Sequence, residues 1–426
     1  MKKILKISGK SKVRRAKAAE VKGLEEYGAM ELEGRLALIQ DLIPLGLMHI
    51  KEELQGEVRR LAGDRYKRNG LSGHCRWARQ RGSVYIKDQK VPVIYQRVRD
   101  TINNREVPLS VYERFQRPKD LDEGLLRRVL HGLSTRNYKE CAEAIPGALS
   151  LSPSTVSRRF IRASEKKLRE LTERRLDGYD FVSIVMDGKS FGDDEIIIAI
   201  GITIEGRKVV LGLIQAATEN HRVIKDFLLK LIDRGLWYDK GLLCIIDGAK
   251  GLRKAINEVF GVYAAIQRCR WHKRENVLKY LPKGLHSQFR QKIQMAYDKA
   301  TYEEARAALK RVRAELKLIN ESAVESLDEG LEETLTIHRL GMHGELKRSF
   351  TTTNMIESVM ALIGQKTDKV DYWRNSSQKQ RWVATSLLYA EGRLNKVNGY
   401  RHLPKLRDAL QREIDSALKG KEAVAA

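Results

Sequence analysis

The sequence predicts an α/β domain with an all-α insertion, preceded by a mainly α-helical, basic region that contains a small β segment. Two patterns carry this prediction. Between residues 178 and 282, short apolar runs that suit buried strands alternate with segments whose apolar residues recur at helical spacing. From 283 to 344 only helical signals remain. At 426 residues the chain is long enough for several domains, one of them a full α/β domain.

Composition and charge indicate a globular protein with a polyanionic partner. Hydrophobic residues make up 42% and charged residues 32% of the chain, which argues against disorder. The formal net charge of +25 repels itself in the folded state, so a partner rich in phosphates, DNA or RNA, is expected. A ribosomal protein or a merely solubilising basic surface is the alternative that charge alone leaves open.

The sequence also predicts a cytoplasmic protein. No apolar run reaches the roughly 18 to 20 residues needed to span a bilayer, and the first residues lack the apolar stretch of a signal peptide. We therefore expect no membrane association, and a position at the nucleoid when the chain binds DNA. No disulfide framework is expected, because the cysteines lie far apart: Cys75, Cys141, Cys244 and Cys269.

The first two segments are predicted to be helical and then β. Residues 1–66 have the apolar spacing of helices, with Pro44 marking a kink or break. Residues 67–118 are predicted to form a small basic β segment in which two short strands turn at 87–89. Arginines beside an aromatic residue suit a nucleic-acid surface, although a solvated sheet with a packed tryptophan explains them equally well. These residues are Arg76, Trp77, Arg79 and Arg81.

Residues 119–177 have the pattern of a helix-turn-helix DNA-binding domain. Helical segments at 121–133 and 135–145 precede a third helix, which Ser152 caps and Pro153 begins, because the serine hydroxyl can accept a free N–H and proline has none to satisfy. In this motif the start of that helix enters the major groove of DNA. An ordinary three-helix bundle with a basic face is the alternative. The candidate DNA contacts are Ser154, Thr155, Ser157, Arg158 and Arg159.

The order of the remaining elements predicts a ribonuclease-H-like catalytic core. The predicted order is a strand, a hairpin, a helix, a further strand and, much later, a helix that bears a glutamate. The first part of this core is 178–282 and the last part is 345–400, and the helical residues 283–344, which the family resemblance given below implies to be an all-α insertion, lie between them. Residues 401–426 are predicted to form a C-terminal helix and tail.

Two aspartates follow predicted buried strands. Asp187 comes after VSIVM and Asp247 after LLCII, and each precedes a glycine that allows a turn. A carboxylate at the end of a buried strand is costly unless it is paired or binds a metal, although an aspartate that merely begins a turn is common there. Carboxylates are the ligands that Mg²⁺ prefers, and two such ions can activate the nucleophile and stabilise the leaving oxygen in phosphodiester chemistry.

Glu357 is the candidate third carboxylate. It lies in the first turn of a predicted helix, where the helix dipole favours the ionised form that a metal ligand requires. The segment from Asn354 to Glu357 also has the spacing of a capping box, in which a glutamate only returns a hydrogen bond to the cap residue. Spacing alone does not decide between the two.

The segment from Cys269 to His272 has a Cys-x-x-His spacing that could suggest zinc, but no second pair of ligands follows. We instead predict that both residues support the active site, by holding a strand end or touching DNA. Trp271 could stack on an unpaired base or simply pack. The nearby and later basic residues predicted to bind phosphate, or else to form a solvated face, are Arg270, Lys273, Arg274, Lys366, Lys369, Arg374, Lys379 and Arg381.

Several segments resemble the Mutator-like transposases of bacterial insertion sequences. They are MDGKSFGDDEIIIAIGIT, IEGRKVVLGLIQAATEN, IIDGAKGLRKAI, QRCRWHKRENVLKYLP, TTTNMIES and QRWVATSLL. Their order and spacing agree with that family, including its Cys-x-x-His signature. The resemblance implies that Asp187, Asp247 and Glu357 form the catalytic, metal-binding triad.

The resemblance also implies the activity. Such an enzyme binds the terminal inverted repeats of its element through its amino-terminal region, cuts the strands with water and joins the freed 3′-hydroxyl to target DNA. The implied cofactor is a pair of Mg²⁺ ions, for which Mn²⁺ can substitute, and a homodimer or higher oligomer on DNA is expected from the two element ends. One departure is Met360, which stands where family members often have asparagine.

Two other functions fit the residues. A regulator derived from a transposase would bind DNA without cutting it, and a nuclease or resolvase of the same fold would cut DNA without joining it. The presence of all three acids argues against the regulator, and joining of pre-cut 3′-hydroxyl ends would distinguish a transposase from a nuclease.

Overall fold

The computed structural model describes residues 5–8, 12–15, 48–67, 73–86, 89–116, 121–136, 152–191, 194–216 and 220–425. Contacts divide the chain into two compact units. The first unit is Met1–Val129 with Leu133–Phe160, and the second is Leu130–Gly132 with Ile161–Ala426. The boundary after Phe160 falls inside one long helix.

The elements up to that helix include two antiparallel sheets. They are β1 (Leu5–Ser8), β2 (Lys12–Arg15), α1 (48–62), β3 (His74–Ile86), β4 (Gln89–Asp100), β5 (Arg105–Val107), α2 (Ser110–Gln116), α3 (Leu121–Leu130) and α4 (Pro153–Glu173). β1 pairs with β2, and β3, β4 and β5 form a three-stranded sheet in that order. Glu57 on α1 accepts the N–H groups of Ser110 and Val111, which fixes α1 against the start of α2.

The second unit is built on a five-stranded mixed sheet. Its strands are β6 (Phe181–Phe191), β7 (Asp194–Thr203), β8 (Lys208–Ala216), β9 (Leu242–Ile246) and β10 (Ala264–Arg268). The order in the sheet is β10-β9-β6-β7-β8. β6, β7 and β8 are antiparallel neighbours, whereas β9 is parallel to both β6 and β10. β6 is therefore the central strand, with an antiparallel neighbour on one side and a parallel neighbour on the other.

Helices cover both faces of this sheet. They are α5 (His221–Asp233), α6 (Lys250–Phe260), α7 (Arg270–Leu278), α8 (His286–Tyr297), α9 (Tyr302–Lys317), α10 (Glu321–Asp328), α11 (Leu331–Thr334), α12 (Thr336–Arg339), α13 (His343–Phe350), α14 (Asn354–Thr367), α15 (Ser376–Glu391) and α16 (Leu403–Ala425). Successive strand residues alternate between the faces: Leu243 and Ile245 pack with α14, α15 and α16, while Cys244 and Ile246 pack with α5 and α6.

The segment after β10 packs around a core of its own. Buried apolar residues of α7 to α10 form one cluster, which includes Val277, Phe289, Leu309 and Leu327. Residues 283–344 contain helices and turns and no strand, as predicted. The prediction that the chain combines an α/β domain with helical parts is confirmed at this level.

The amino-terminal prediction is corrected in part. Leu5–Ser8 and Lys12–Arg15 pair as strands where helix was predicted for 1–66. The sequence LKIS alternates apolar and polar residues, which is the period of a strand, and the partner strand supplies its backbone hydrogen bonds. The helix at 48–62 agrees with the prediction, whereas Pro44 lies outside the described residues.

Strands lie within the predicted small β segment, and they are longer than predicted. β3 and β4 have 13 and 12 residues, and β5 adds a third strand. Ile86 pairs with Gln89, which fits the predicted turn. The predicted DNA contacts Arg76 and Arg79 lie within β3 rather than before it, on either side of a bulge. The predicted helix at 135–145 lies mostly outside the described residues, while α3 and α4 begin close to their predicted starts.

Candidate active site

The register of the sheet places two aspartates side by side. Met186 on β6 lies opposite Ile246 on β9, so Asp187 and Asp247 come next on adjacent parallel strands, which lie about 4.8 Å apart. Met186 and Ile246 pack toward α5 and α6. Because successive side chains alternate, both aspartates face the side of the sheet that α14 covers. One detail is corrected: β6 does not end at Asp187 but continues to Phe191, because β7 remains paired with it.

Asp187 is a buried carboxylate among other acids. The residue is 6% exposed, and one carboxylate oxygen accepts the N–H of Gly188 at 3.0 Å. Burial, and next the negative charge of Asp247, raises the pKa of Asp187 to about 7. Glu357 adds further repulsion, while His272 opposes it. Repulsion among three carboxylates at one place is the electrostatic condition that a divalent cation relieves.

Asp247 begins a turn and also faces this cluster. Its carboxylate accepts the N–H of Ala249 at 2.9 Å. The intervening Gly248 has a φ of 116°, a left-handed backbone conformation that favours glycine. A Cβ at Gly248 would also lie 2.0 Å from the guanidinium group of Arg268. A turn-forming role and a place in the acidic cluster are therefore compatible at Asp247.

The Cys-x-x-His segment begins where β10 ends, beside the same sheet edge. The N–H of Cys269 donates to the carbonyl of Ile246 at 2.8 Å. A hydrogen bond with the Cys269 thiol is the main cause that raises the pKa of His272 to about 9. Burial opposes ionisation of Cys269, but hydrogen bonds from His272 and Thr353 outweigh it and lower the thiol pKa. His272 is therefore cationic at neutral pH, beside Asp187 and Asp247.

The TTTN turn docks on this segment. The N–H of Arg270 donates to the carbonyl of Thr351 at 3.0 Å. The N–H of Thr353 donates to the sulfur of Cys269 at 3.4 Å, and the Thr353 hydroxyl lies 3.5 Å from the same sulfur. These contacts hold the start of α14, and with it Glu357, against the end of β10.

Thr353 connects the histidine to the glutamate. Its fully buried hydroxyl donates to Oε1 of Glu357 at 3.1 Å and lies 3.3 Å from Nδ1 of His272. A hydroxyl has one proton, so the arrangement that satisfies both contacts has His272 donating to Thr353 and Thr353 donating to Glu357. The chain of donors ends on a carboxylate oxygen. Thr353 thus orients Glu357 through its hydroxyl, which also contacts Cys269 and His272.

The capping-box interpretation of Glu357 is wrong. α14 begins at Asn354 with Thr353 as its cap, one residue earlier than a box at Asn354 requires, and no side chain caps the helix. Glu357 is therefore too far along the helix to return a bond to the cap N–H, and its carboxylate accepts the Thr353 hydroxyl instead. It is half-buried in the first turn, where its charge is favoured by the helix dipole.

The acids at this site can be compared with the ligand sets of known metal ions. Within the part of the chain that the structure describes, no group of three or more histidine, cysteine, aspartate or glutamate side chains could together hold one ion. The Cys-x-x-His segment therefore offers no zinc site among those residues. The acids still fit divalent ions that each use fewer protein ligands, because Mg²⁺ normally keeps several waters.

Arg270 is internal, which corrects its predicted contact with DNA. It is 7% exposed, and its guanidinium group donates to the carbonyl groups of Thr334 at 2.9 Å and Tyr297 at 3.3 Å. The guanidinium group also donates to Nδ1 of His338 at 2.6 Å. The rings of His338 and His343 stack with their centres 3.7 Å apart. Burial lowers the pKa of His338 to about 4 and that of His343 to about 3, so both rings are neutral acceptors.

Three other cations that were predicted to bind phosphate are also buried: Lys273, Lys379 and Arg381. Lys273 donates to the carbonyl groups of Ser326 and Glu329, inside the helical segment. Lys379 pairs with Asp194. Arg381 donates to the hydroxyl of Ser377 at 2.6 Å. These contacts hold the three residues inside the fold rather than on a phosphate-binding surface.

The other predicted DNA contacts are at least partly accessible. Exposed residues are Arg79, Ser154, Arg158 and Trp271, and half-buried ones are Arg76, Thr155, Ser157, Arg159 and Arg274. The guanidinium group of Arg76 donates to the carbonyl of Gly63, and that of Arg274 donates to Glu275 and Gln294. Contact of these residues with DNA stays a prediction.

Met360, the departure from the family pattern, lies on the buried face of α14. It is 6% exposed and packs in the apolar cluster on that face of the sheet. Its backbone carbonyl accepts a hydrogen bond from Nζ of Lys189 at 3.2 Å. The side chain therefore has a packing role in this chain.

Sequence reasoning missed Thr353. Its signal is a threonine four residues before the glutamate, which places the hydroxyl beneath the carboxylate once the first turn of the helix forms. The spacing of three residues between Asn354 and Glu357 indicated a capping box instead. The position of the helix start, which a spacing argument leaves uncertain by a residue, decides between the two.

Comparisons with known proteins show what the chain as a whole is similar to. A family model described as "Transposase, Mutator family" matches residues 97–391. The chain is 30% identical to the transposase of insertion sequence element ISRM5 of Rhizobium meliloti, over 70% of this chain and 75% of that protein. It is 29% identical to the IS6120 transposase of Mycolicibacterium smegmatis, over 56% and 74%. It is 27% identical to the transposase of IS256 in transposon Tn4001 of Staphylococcus aureus, over 66% and 72%.

The predicted resemblance is thereby confirmed over most of the chain, including β6 to β10 and α14. Among the described residues, no helix is long and apolar enough to cross a membrane. The chain belongs to the Mutator family of transposases, which cut DNA and join it at a new position.

Proposed function

We propose that this transposase binds the terminal inverted repeats of an insertion sequence and performs Mg²⁺-dependent strand cleavage and strand transfer with Asp187, Asp247 and Glu357. The single observation that carries the proposal is the convergence of these acids. Strand register brings Asp187 and Asp247 to one sheet edge, and Glu357 acts electrostatically on Asp187 from α14. Asp247 and Glu357 are 60 and 170 residues away from Asp187 along the chain, so only the fold makes the three neighbours.

The sheet supports a ribonuclease-H-like core. This fold class predicts three antiparallel strands followed by two parallel strands. It also predicts an acid on the first strand and another after the fourth, which is the order in this chain. In this proposal, residues 283–344 are the all-α insertion between the second aspartate and the glutamate. The separate apolar cluster of that segment is consistent with an inserted unit.

The acids fit a pair of hard divalent cations. All three ligands are carboxylates, and Asp187 lies under the influence of both other acids. Asp187, Asp247 and Glu357 would hold the ions, with water completing the coordination. Two bound Mg²⁺ ions would supply activation of the attacking oxygen and stabilisation of the leaving oxygen.

The chain's own groups orient this site. Thr353 holds the Glu357 carboxylate, and the cationic His272 partly offsets the charges of the aspartates. The Cys269 N–H keeps the end of β10 next to the residue before Asp247. Cys269, His272 and Thr353 therefore act as positioning residues in this proposal, with no role as metal ligands.

We expect Thr353→Val to slow strand cleavage by about 10- to 100-fold, the usual cost of removing a hydrogen-bond partner of a metal ligand. The valine keeps the shape of threonine and removes only the donor to Glu357. The Mg²⁺ concentration for half-maximal cleavage should rise. Thr353→Ser restores the hydroxyl and should return both values to near wild type. Equal activity of Thr353→Val and wild type at every Mg²⁺ concentration would show that the hydroxyl does not orient Glu357.

A cleavage and joining assay tests the proposed function. Full-length protein is incubated with Mg²⁺ and DNA that carries an element end, identified as an inverted repeat in the sequence flanking the gene. We expect new 3′-hydroxyl ends at the repeat, and joined products when pre-cut ends are supplied. Cleavage without joining would favour a nuclease or resolvase. Binding without cleavage would favour a regulator and would overturn the catalytic assignment.

A further inference from the structure

A group of hydrogen-bond donors lies at the far end of the helix that bears Glu357. Lys366 is in the last turn of α14, Lys369 follows the helix, and Arg393 follows α15. His131 and Tyr389 lie between these cations. We call these five residues the His131 cluster. All of them, His131 included, belong to the second unit.

The cluster is organised by specific contacts. Nζ of Lys366 lies 3.1 Å from Nδ1 of His131, and Nε2 of His131 lies 2.9 Å from the hydroxyl of Tyr389. Nζ of Lys369 donates to the carbonyl of His131 at 3.0 Å. The guanidinium group of Arg393 donates to the Tyr389 hydroxyl and lies 4.3 Å from the centre of its ring.

The directions of these bonds leave the hydroxyl proton of Tyr389 without an acceptor among the described residues. An ammonium group only donates, so Nδ1 of His131 accepts from Lys366 and Nε2 carries the proton that it gives to Tyr389. The Tyr389 oxygen then accepts from both His131 and Arg393. Its own O–H is left to donate, and no bond from it to an acceptor is found among the described residues. The cluster is thus a set of donors that converge on a hydroxyl still able to donate.

The next feature of the cluster is the charge balance among the described residues. Among the residues that the structure describes, none of the three cations forms an ion pair with a carboxylate. Burial, and then the neighbouring cations, lower the pKa values of His131 and Lys366, which reflects this crowding of like charge. The helix dipole favours Lys366 at the end of α14, but it does not account for Arg393 and Tyr389 on another helix.

We propose that the His131 cluster binds a phosphodiester group of the DNA backbone, on the same substrate strand region that the triad cuts. A phosphate oxygen supplies the missing negative charge and the acceptor for the Tyr389 hydroxyl. The inference rests on the proposed function for the position of the substrate. Glu357 and Lys366 are nine residues apart on one helix, which at 1.5 Å per residue is about 14 Å, or about four base steps of DNA.

The experiment measures DNA binding of the full chain without divalent metal, so that it does not depend on the triad. The probe is a labelled duplex carrying the element end, and a second duplex has a scrambled sequence. We expect Lys366→Gln and Tyr389→Phe each to weaken binding about 3- to 10-fold on both duplexes. Lys366→Gln should also reduce the dependence of log Kd on log salt by about 1.

Matched controls lie elsewhere in the second unit. Lys310→Gln removes the same charge from an exposed site on α9, and Tyr280→Phe removes an exposed hydroxyl. Both should bind like wild type. If Lys366→Gln and Tyr389→Phe, folded as judged by thermal unfolding, bind no differently from these controls, or if wild type does not bind DNA, the inference is overturned.

Single methylphosphonate substitutions locate the contact. In wild type, a neutral phosphate within about four nucleotides of the cleaved bond should weaken binding, and Lys366→Gln should make the protein insensitive at that position. Equal sensitivity of both proteins at every position would contradict the contact. Loss of cleavage in the triad variants is a separate result, so failure of the triad assignment and failure of this inference can be told apart.

Discussion

Replacing Asp187 with asparagine should abolish strand cleavage while leaving DNA binding intact. The amide keeps the size of the side chain but cannot supply the negative charge that the proposed divalent ions require. Loss of several kcal/mol of transition-state stabilisation corresponds to a decrease of about 10³-fold in the single-turnover cleavage rate. The measurement is release of 3′-hydroxyl ends from element-end DNA, with binding measured in parallel.

The control for this variant is Asp233→Asn. Asp233 ends α5 and is exposed, so the same chemical change there should leave cleavage near the wild-type rate. Asp247→Asn and Glu357→Gln should resemble Asp187→Asn, and pairs of these substitutions should be little worse than one, because the acids act as a unit. An active Asp187→Asn enzyme would exclude the triad.

Replacing Arg270 with methionine should destabilise the protein by about 3 to 5 kcal/mol, because it leaves buried acceptors without a donor. The acceptors include the carbonyl group of Thr334 and Nδ1 of His338. Chemical denaturation of the purified protein measures the loss. Arg311→Met is the control, since that exposed arginine on α9 should change stability by less than about 0.5 kcal/mol.

The same variant distinguishes an internal arginine from a DNA contact. If Arg270 bound phosphate, Arg270→Met would weaken DNA binding and keep the free energy of unfolding. We expect the reverse for the folded fraction of the protein. The result follows from burial, since a 7% exposed guanidinium group that is bonded to internal carbonyl groups has little surface to offer DNA.

The catalytic sheet was predictable because local patterns define its strands. Runs such as VSIVM and LLCII are long enough for a buried strand and too short for a helix, and an acid after each marks the sheet edge. The amino-terminal hairpin was missed because LKIS and KVRR are short. An alternation of apolar and polar residues over four positions does not outweigh the helical spacing of the residues that follow. β5 was missed for the same reason, having only three residues.

The surroundings of the site were less predictable, since they depend on contacts between distant segments. A lysine or arginine is usually exposed, and nothing local to Arg270 or Lys273 shows that carbonyl groups from residues 297 to 334 will surround them. The contact between Thr353 and Glu357 depends on the residue at which α14 begins, which the sequence does not define. The triad itself came from strand ends together with family resemblance, and the structure adds the register that makes the aspartates neighbours.

The central claim is that three carboxylates hold two divalent ions, and anomalous diffraction from crystals grown with Mn²⁺ tests it most directly. We expect two peaks about 3.5 to 4 Å apart, beside Asp187, Asp247 and Glu357. In crystals of Asp187→Asn, at least one peak should be lost. Strong peaks elsewhere in the second unit, with none beside Asp187 in the DNA-bound wild type, would contradict the account.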